Sequence, residues 1–183
     1  LGTYPKANGQ VYGGGERTEE NQMPVEETGN MLILTAALAE MEGNASFAKK
    51  YWPTLTKCAE FLKAKGFDPE NQLSTDDFMG HMAHQTNLSI KAILGLASYG
   101  RLCQFQGFNK EAKEYTDLAK SFAVRWEKEA NDGDHYRLAF DQEGSWGQKY
   151  NLVWDQILGL NIFPTIVKEK EMAFYRKMLS PYG

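Results

Sequence analysis

Two adjacent pairs of acids, Glu26-Glu27 and Asp76-Asp77, are the residues of this chain best suited to acid and base work. A carboxylate at the mouth of a cavity loses hydration and feels the charge of a second acid, so its pKa climbs toward neutrality and it can take a proton from an attacking water. Glu27, Asp77, Glu26 and Asp76 are therefore the catalytic candidates. His81 and His84 follow the second pair at a spacing of three and are two of the three histidines present. They suit hydrogen bonding to a polar substrate. The spacing would also admit a metal, but such clusters are more commonly hydrogen-bonded rim residues, and neither a metal nor a cofactor is expected. Trp146, set between Gly144-Ser145 and Gly147-Gln148-Lys149, offers an aromatic wall with Gln148 and Lys149 beside it, which fits an amino-acid amide or a sugar ring. Each feature has a plainer reading. Pro24 followed by Glu26 and Glu27 is the makeup of an ordinary helix first turn, Asp76 can cap a helix, and a loop tryptophan can cover a core. The run Gly13-Gly14-Gly15 lacks the context of a phosphate loop and reads as a flexible turn.

What must hold these residues is a repeat. Gly29-Asn30-Met31-Leu32, Thr86-Asn87-Leu88-Ser89 and Tyr150-Asn151-Leu152-Val153 each open a long apolar stretch, at intervals of about 60 residues, enough for two helices and a loop. In the first unit the stretch 31–41 carries Glu40 as its only charge and ends at Gly43-Asn44. Tyr51, Leu55, Cys58, Ala59 and Leu62 then recur at helical spacing with Lys and Glu on the other face, and Pro53 belongs in the first turn of that helix or kinks it. In the second unit 87–106 holds only Lys91 and Arg101 as charges, whereas 109–130 sets Ala112, Tyr115, Leu118, Ala119, Phe122 and Trp126 against dense Lys and Glu. The third opens with 151–163, whose only charge is Asp155, and continues into 169–179.

A helix that is apolar nearly all round must be buried on several sides, and one with a single stripe covers it from outside. The pattern thus predicts an all-α chain of about three helical hairpins, with units near 24–66, 81–130 and 148–180, forming part of an α/α toroid, and with 1–183 a single-domain piece of a larger protein. Long connections at 13–28, 66–86 and 131–150 lead into the inner helices, so that end of the array is where a site is sought. The short β-rich stretches, 10–12 and 136–140, read as rim loops.

Aligning the units on Asn30, Asn87 and Asn151 places Glu27, His84 and Gln148 at one repeat position, ringing the mouth. Free N–H groups at helix starts would make that mouth a natural seat for a substrate carboxylate or an oxyanion. Leu34, Lys91 and Asp155 share a second position, two turns deeper on the same face. Lys91 and Asp155 are costly to bury alone and are expected to find each other or a shared partner across the interior; with His81, His84, Trp146, Gln148 and Lys149 they complete the candidate substrate contacts. The three Asn, repeated in every unit, are expected to be structural.

Composition narrows the function classes. Twenty Lys and Arg face 24 Asp and Glu, for a net charge of -4, and no basic block stands out, so neither a nucleic acid nor an anionic membrane surface is an expected partner. No apolar run approaches the ~20 residues of a membrane span. A hydrophobic fraction of 42% supports a sizeable core. Cys58 and Cys103 lie within helical patterns without metal-type spacing and read as two buried thiols. The start at Leu1-Gly2-Thr3-Tyr4-Pro5 has no initiator Met and no signal-type apolar segment, as expected of a piece from inside a longer protein.

Three long motifs carry a resemblance over nearly the whole chain: Met23-Pro24-Val25-Glu26-Glu27-Thr28-Gly29-Asn30-Met31-Leu32-Ile33-Leu34; Asp76-Asp77-Phe78-Met79-Gly80-His81-Met82-Ala83-His84-Gln85-Thr86-Asn87-Leu88-Ser89-Ile90-Lys91-Ala92-Ile93; and Ser145-Trp146-Gly147-Gln148-Lys149-Tyr150-Asn151-Leu152-Val153-Trp154-Asp155. In this order they resemble the C-terminal domain of the glutaminase A family of fungi and Bacteroides-type bacteria. The resemblance implies a six-hairpin toroid related to that of α/α-toroid glycosidases, within a secreted or periplasmic multidomain hydrolase that has a β-rich portion upstream. It also implies hydrolysis of L-glutamine to L-glutamate and ammonia, and it transfers no catalytic residue.

The leading expectation is amide hydrolysis, with a rim carboxylate such as Glu27 or Asp77 activating water and His84 or Lys149 stabilising the oxyanion. No Ser or Cys stands in a nucleophile-elbow setting. A glycoside hydrolase using two carboxylates across the same cavity, or a non-catalytic scaffold of a larger hydrolase, are the alternatives. The partner is in either enzymatic case a small molecule, glutamine or a sugar. Six hairpins of about 60 residues each need roughly twice this length. A half-ring would expose the apolar sides of inner helices such as 87–106, to be covered by the missing part of the chain or by a second copy.

Overall fold

The computed structural model describes residues 23–76 and 79–181. Helix α1 (Pro24–Glu42) pairs with α3 (Trp52–Lys65) by way of the short α2 (Ser46–Lys50). Next, α4 (Thr86–Phe105) pairs with α5 (Asn109–Glu129), and the short α6 (Leu152–Ile157), packed on α4, is followed along the chain by α7 (Thr165–Met178). Among the described residues β-structure is limited to isolated bridges, Gln72 with Met82, Gln85 with Ala139 and Asn131 with Tyr136. The all-α hairpin expectation holds, and 136–140 is a rim loop. The stretches 10–12 and 13–15 lie outside the described residues.

Local chemistry explains the boundaries. Pro53 has no N–H to bond the turn before it, so α2 stops at Lys50 and α3 restarts with Pro53 in its first turn. Gly43, at φ 66°, turns the chain out of α1 while its N–H and that of Asn44 bond back to Glu40 and Ala39. Leu55, Cys58, Ala59 and Leu62 of α3, and Ala112, Tyr115, Ala119 and Trp126 of α5, face the core as their stripes require; Tyr51, just before α3, is left largely exposed. Both thiols are buried and unpaired.

The middle inner helix is enclosed. Every residue from Thr86 to Gly100 is buried, with α1, α3, α5 and α6 packed around it. The expectation that 87–106 exposes an apolar side is therefore corrected: the neighbouring hairpins close over it on both sides. Exposed apolar side chains sit instead on the flanking inner helices, at Met31 and Leu34 of α1 and at Val153 and Ile157 of α6.

Inner helices α1 and α4 run in parallel, and glycine sets their separation. A Cβ on Gly95 would stand 3.3 Å from the Gly29 Cα and 2.7 Å from the Leu62 Cδ1, and a Cβ on Gly29 would meet the Lys91 Cγ at 2.6 Å. Further along the same seam the Arg101 guanidinium reaches the Glu40 carboxylate at 2.6 Å. Across the other hairpin the buried Trp126 indole donates to the Thr86 carbonyl at 2.9 Å, fixing the end of α5 against the start of α4.

The third hairpin departs from the predicted pattern. Its inner helix ends at Ile157, and the apolar residues up to Phe163 form a turn with Gly159 and Asn161 at positive φ. The cause is Asp155, whose two carboxylate oxygens accept the backbone N–H groups of Ile162 and Phe163, each at 3.0 Å.

Gly95→Ala should therefore force α1 and α4 apart and cost about 1–3 kcal/mol. Urea unfolding of the variant checks this, and a midpoint equal to that of the wild type would show that the seam has slack.

Candidate functional site

The three inner helices start at one end of the array, and the long loops are stitched together there. Gln72 accepts the Val25 N–H through its side-chain oxygen at 2.9 Å and so caps α1. The Thr86 N–H is taken by the Leu138 carbonyl at 2.9 Å, and Phe140 donates to the His84 carbonyl at 2.9 Å. Leu152, Val153 and Trp154 donate to Lys149, Tyr150 and Asn151 in the tight turn that opens α6. These helix starts thus have several donors already occupied by the protein, which corrects the picture of a mouth ringed with free N–H groups.

The chemistry gathers around one buried ion pair. Lys91, one of the two charged residues of α4, passes over Gly29 and puts its ammonium 2.8 Å from the Glu26 Oε1 and 2.6 Å from the Asn30 Oδ1. The Glu26 and Lys91 side chains are 3% and 6% exposed. Among the described residues the buried Glu26 Oε2 has no hydrogen-bond partner. Lys91 is therefore paired with Glu26, not with Asp155, and the predicted Lys91–Asp155 meeting is corrected: Asp155 is consumed in the turn after α6.

Above this pair stands Tyr150, which the sequence reading passed over. It feels the charges of Glu26 and Asp76. Burial, with those two carboxylates, pushes the phenol above its ordinary pKa. Tyr150 is nonetheless 39% exposed, so it reaches both the interior and the outside. Glu27, on the first turn of α1, is half-buried, and that loss of hydration lifts its carboxyl above the ordinary carboxylate range. Asp76 is half-buried, and its backbone N–H donates to the Ser74 Oγ at 3.3 Å. Asp77 lies outside the described residues.

The repeat asparagines are structural, as expected. Asn30 holds Lys91, and Asn151 bonds Asn87 twice, through its backbone N–H to the Asn87 Oδ1 at 3.2 Å and through its amide to the Asn87 carbonyl at 3.0 Å.

Other candidates fall elsewhere. His84, at φ 61°, places its Nδ1 2.7 Å from the Asp68 carboxylate, and that bond raises the imidazole's pKa. His81 is exposed, as is Gln148. Trp146 packs edge-on against Phe174 of α7 at 5.6 Å, its face partly open. Lys149 is enclosed: its ammonium donates to the Gly147 carbonyl at 2.7 Å and the Tyr136 carbonyl at 3.0 Å, with the Glu171 carboxylate at 3.7 Å. Glu171 in turn accepts the Tyr175 hydroxyl and the Tyr136 N–H. Desolvation lowers the Lys149 pKa to about 8. Lys149 therefore anchors the loop that carries Trp146 and Tyr150, and its donors are not turned toward a substrate.

Among the described residues no group of three or more His, Cys, Asp or Glu is arranged to hold a metal ion, and no helix is long and apolar enough to cross a membrane. Position in the repeat was the one signal that could have found Tyr150: the residue before each repeat Asn is Gly29, then Thr86, then Tyr150, and only the last carries a titratable group.

Residues 1–183 match the family model described as the glutaminase A six helical-hairpin domain. Glutaminase A of Aspergillus oryzae is 34% identical over 188 residues, an alignment covering 100% of this chain and 26% of the fungal protein. A probable glutaminase of Arthroderma benhamiae is 36% identical over 100 residues, covering 54% of this chain and 12% of that protein. The chain thus spans about a quarter of the length of the Aspergillus relative.

Two predictions follow from the buried charges. Removing one partner of the Glu26–Lys91 pair, by Glu26→Gln or Lys91→Met, should cost about 3–5 kcal/mol, and the double change Glu26→Leu with Lys91→Met should recover much of it; additive losses in denaturant titrations would show that the two groups do not interact. For Lys149, the native pKa of about 8 lies below the ordinary 10.5. Between those values the unfolded chain holds the extra proton, so this group's contribution to stability rises with pH across that window and is flat on either side. Urea midpoints measured across the window should show this slope in the wild type and not in Lys149→Met.

Proposed function

The chain belongs to the glutaminase A six helical-hairpin family, and on that premise we propose that it is part of a hydrolase that converts L-glutamine to L-glutamate and ammonia, with Glu27 as the general base. The observation that carries this reading is the Glu27 carboxyl, half-buried in the first turn of α1 with its pKa raised by lost hydration, on a chain matched to the family over residues 1–183. A carboxylate whose pKa is raised by lost hydration is a stronger base, able to take a water proton at the moment of attack and then return it to the leaving nitrogen. Asp77 is the second carboxylate of this proposal, and Asp76 its neighbour.

Exposed Met31 and Leu34 on α1, with Val153 and Ile157 on α6, support further hairpins lying on both flanks, so that the three present here form part of a closed ring. The family premise likewise supports a secreted or periplasmic setting.

Full-length enzyme supplied with L-glutamine is expected to release ammonia, and to release no reducing sugar from a panel of glycans; the reverse outcome favours a glycosidase, and neither activity favours a scaffold. Glu27→Gln is expected to lower kcat by roughly 10²-fold or more with its melting temperature unchanged. A base must be ionised to act, so the wild-type rate should fall as pH drops through the raised Glu27 pKa, and this acid limb should be missing in Glu27→Gln. Full rates in both Glu27→Gln and Asp77→Asn would overturn the carboxylate roles.

A further inference from the structure

The loop between α5 and α6 makes two glycine turns, and one side chain fastens them together. In the first, the Asp132 N–H donates to the His135 carbonyl at 3.0 Å around Gly133, at φ 75°. In the second, the Ser145 N–H donates to the Gln142 carbonyl at 3.3 Å around Gly144, at φ 76°. The buried His135 ring bridges them. Its Nε2 lies 3.2 Å from the Ser145 carbonyl and 3.6 Å from the Asp132 carboxylate, and its Nδ1 lies 2.9 Å from the Asp134 carboxylate. Asp132 adds a second stitch by accepting the Gly144 N–H at 2.6 Å.

The charge of the ring follows from what it faces. A backbone carbonyl can only accept, and so can a carboxylate while it is ionised. Asp134 is ionised, since its bond to His135, with the Lys177 ammonium at 2.9 Å, holds its carboxyl down at about 2. Both ring nitrogens therefore have to donate, and only the imidazolium carries two N–H groups. A neutral ring would turn a lone pair toward one of these oxygens. The neighbouring charges have partners of their own. Arg137 stands 3.5 Å from Asp132, and on α7 Glu171 accepts the Tyr136 N–H while Lys170 reaches Asn131. The loop also meets α7 at this ring: His135 stacks on Phe174 at 4.3 Å, and Trp146 packs edge-on against the same Phe174 at 5.6 Å.

We propose that His135 is a protonation-dependent clasp: as the imidazolium it ties the turn at 142–145 to the turn at 132–135 and to α7, and on losing a proton it releases the turn that carries Trp146. The step is a plain acid dissociation. An N–H bond breaks, its electron pair stays on the ring nitrogen, and the proton goes to water. What is left is a lone pair against an oxygen, which repels where the N–H attracted. The clasp is closed while the ring is charged and open once it is neutral. Trp146, 40% exposed, is presented to the outside only as firmly as this turn is held, whichever substrate the site takes.

Hydrogen–deuterium exchange of the full-length protein, followed by mass spectrometry across a pH series, reads both ends of the clasp. The slow exchange of the imidazole Cε1 hydrogen reports when His135 loses its proton. The peptide around Gly144 and Ser145, whose amides are both bonded in the closed turn, reports whether the turn is held. Expected is a fall in amide protection of about tenfold or more, as for the loss of one hydrogen bond from a charged group, at the midpoint of the ring's own titration, while the amides of α4 stay protected throughout. His135→Phe keeps a ring to stack and removes both donors, so its turn should be poorly protected at every pH. Asp134→Asn, at an exposed side chain, should displace the ring and loop midpoints together. Lys149, enclosed farther along the loop, titrates at about 8; Lys149→Met removes any step of its own and should leave the His135 step in place. Protection that stays constant while the ring titrates overturns the proposal, as do midpoints that move apart in Asp134→Asn or a wild-type pH profile in His135→Phe. If His135→Phe does not fold, the two midpoints of the wild type decide alone.

Discussion

A lysine ammonium enclosed by protein is tolerable only when an anion and hydrogen-bond acceptors replace the water it has lost. Lys91 meets that condition through Glu26 and Asn30, and much of the inner architecture follows from the arrangement. The side chain must cross α1 at a residue without a Cβ, which Gly29 provides. That crossing fixes the register of α1 against α4 and brings Gly95 onto the Gly29 backbone. It also sets the first turn of α1, with Glu27 on it, at the level where the loops from the other two units arrive. Shifting either helix by a turn would strand two charges in the core.

Much of this was legible in the sequence, and the failures share one physical origin. Apolar and amphipathic helices alternate as their patterns require, since burial on several sides and burial on one side leave different residue periodicities. The asparagines at equal positions in each unit correctly announced a structural role. Lys91 was recognisable as a buried charge, but its partner was not, because repeat alignment compares equal depths and Glu26 lies nearer the helix start than Asp155 does in its own unit. Asp155 looked like an inner-helix charge, yet two backbone N–H groups beyond Ile157 claimed it and ended the helix. In each case the deciding partner lay outside the window that periodicity can see.

The same limit explains the site. Glu26, Glu27 and Asp76 were identified from residue type, and the structure gathers Glu26 and Asp76 around Tyr150. Tyr150 stands in the repeat motif beside Asn151, and residue type gave no sign that these two charges lie near it. Lys149 reads as a substrate contact because a loop lysine is expected to face solvent, whereas Gly147, Tyr136 and Glu171 enclose it. His84 and Trp146 have local partners, Asp68 and Phe174, that composition alone does not reveal.

The all-round burial of α4 has a consequence for the order in which the chain can acquire structure. The helix carries its apolar residues on every side, so no pair of neighbours satisfies it. During synthesis α1 and α3 precede it, but the loop that takes the Thr86 N–H and the turn that bonds Asn87 are made only after α5 is complete. Pairings of this sequence separation form late because the intervening loop must first be closed. A helix buried on every side thus waits for its last contacts until the chain beyond α5 is made, and in that interval it is exposed to association with other chains.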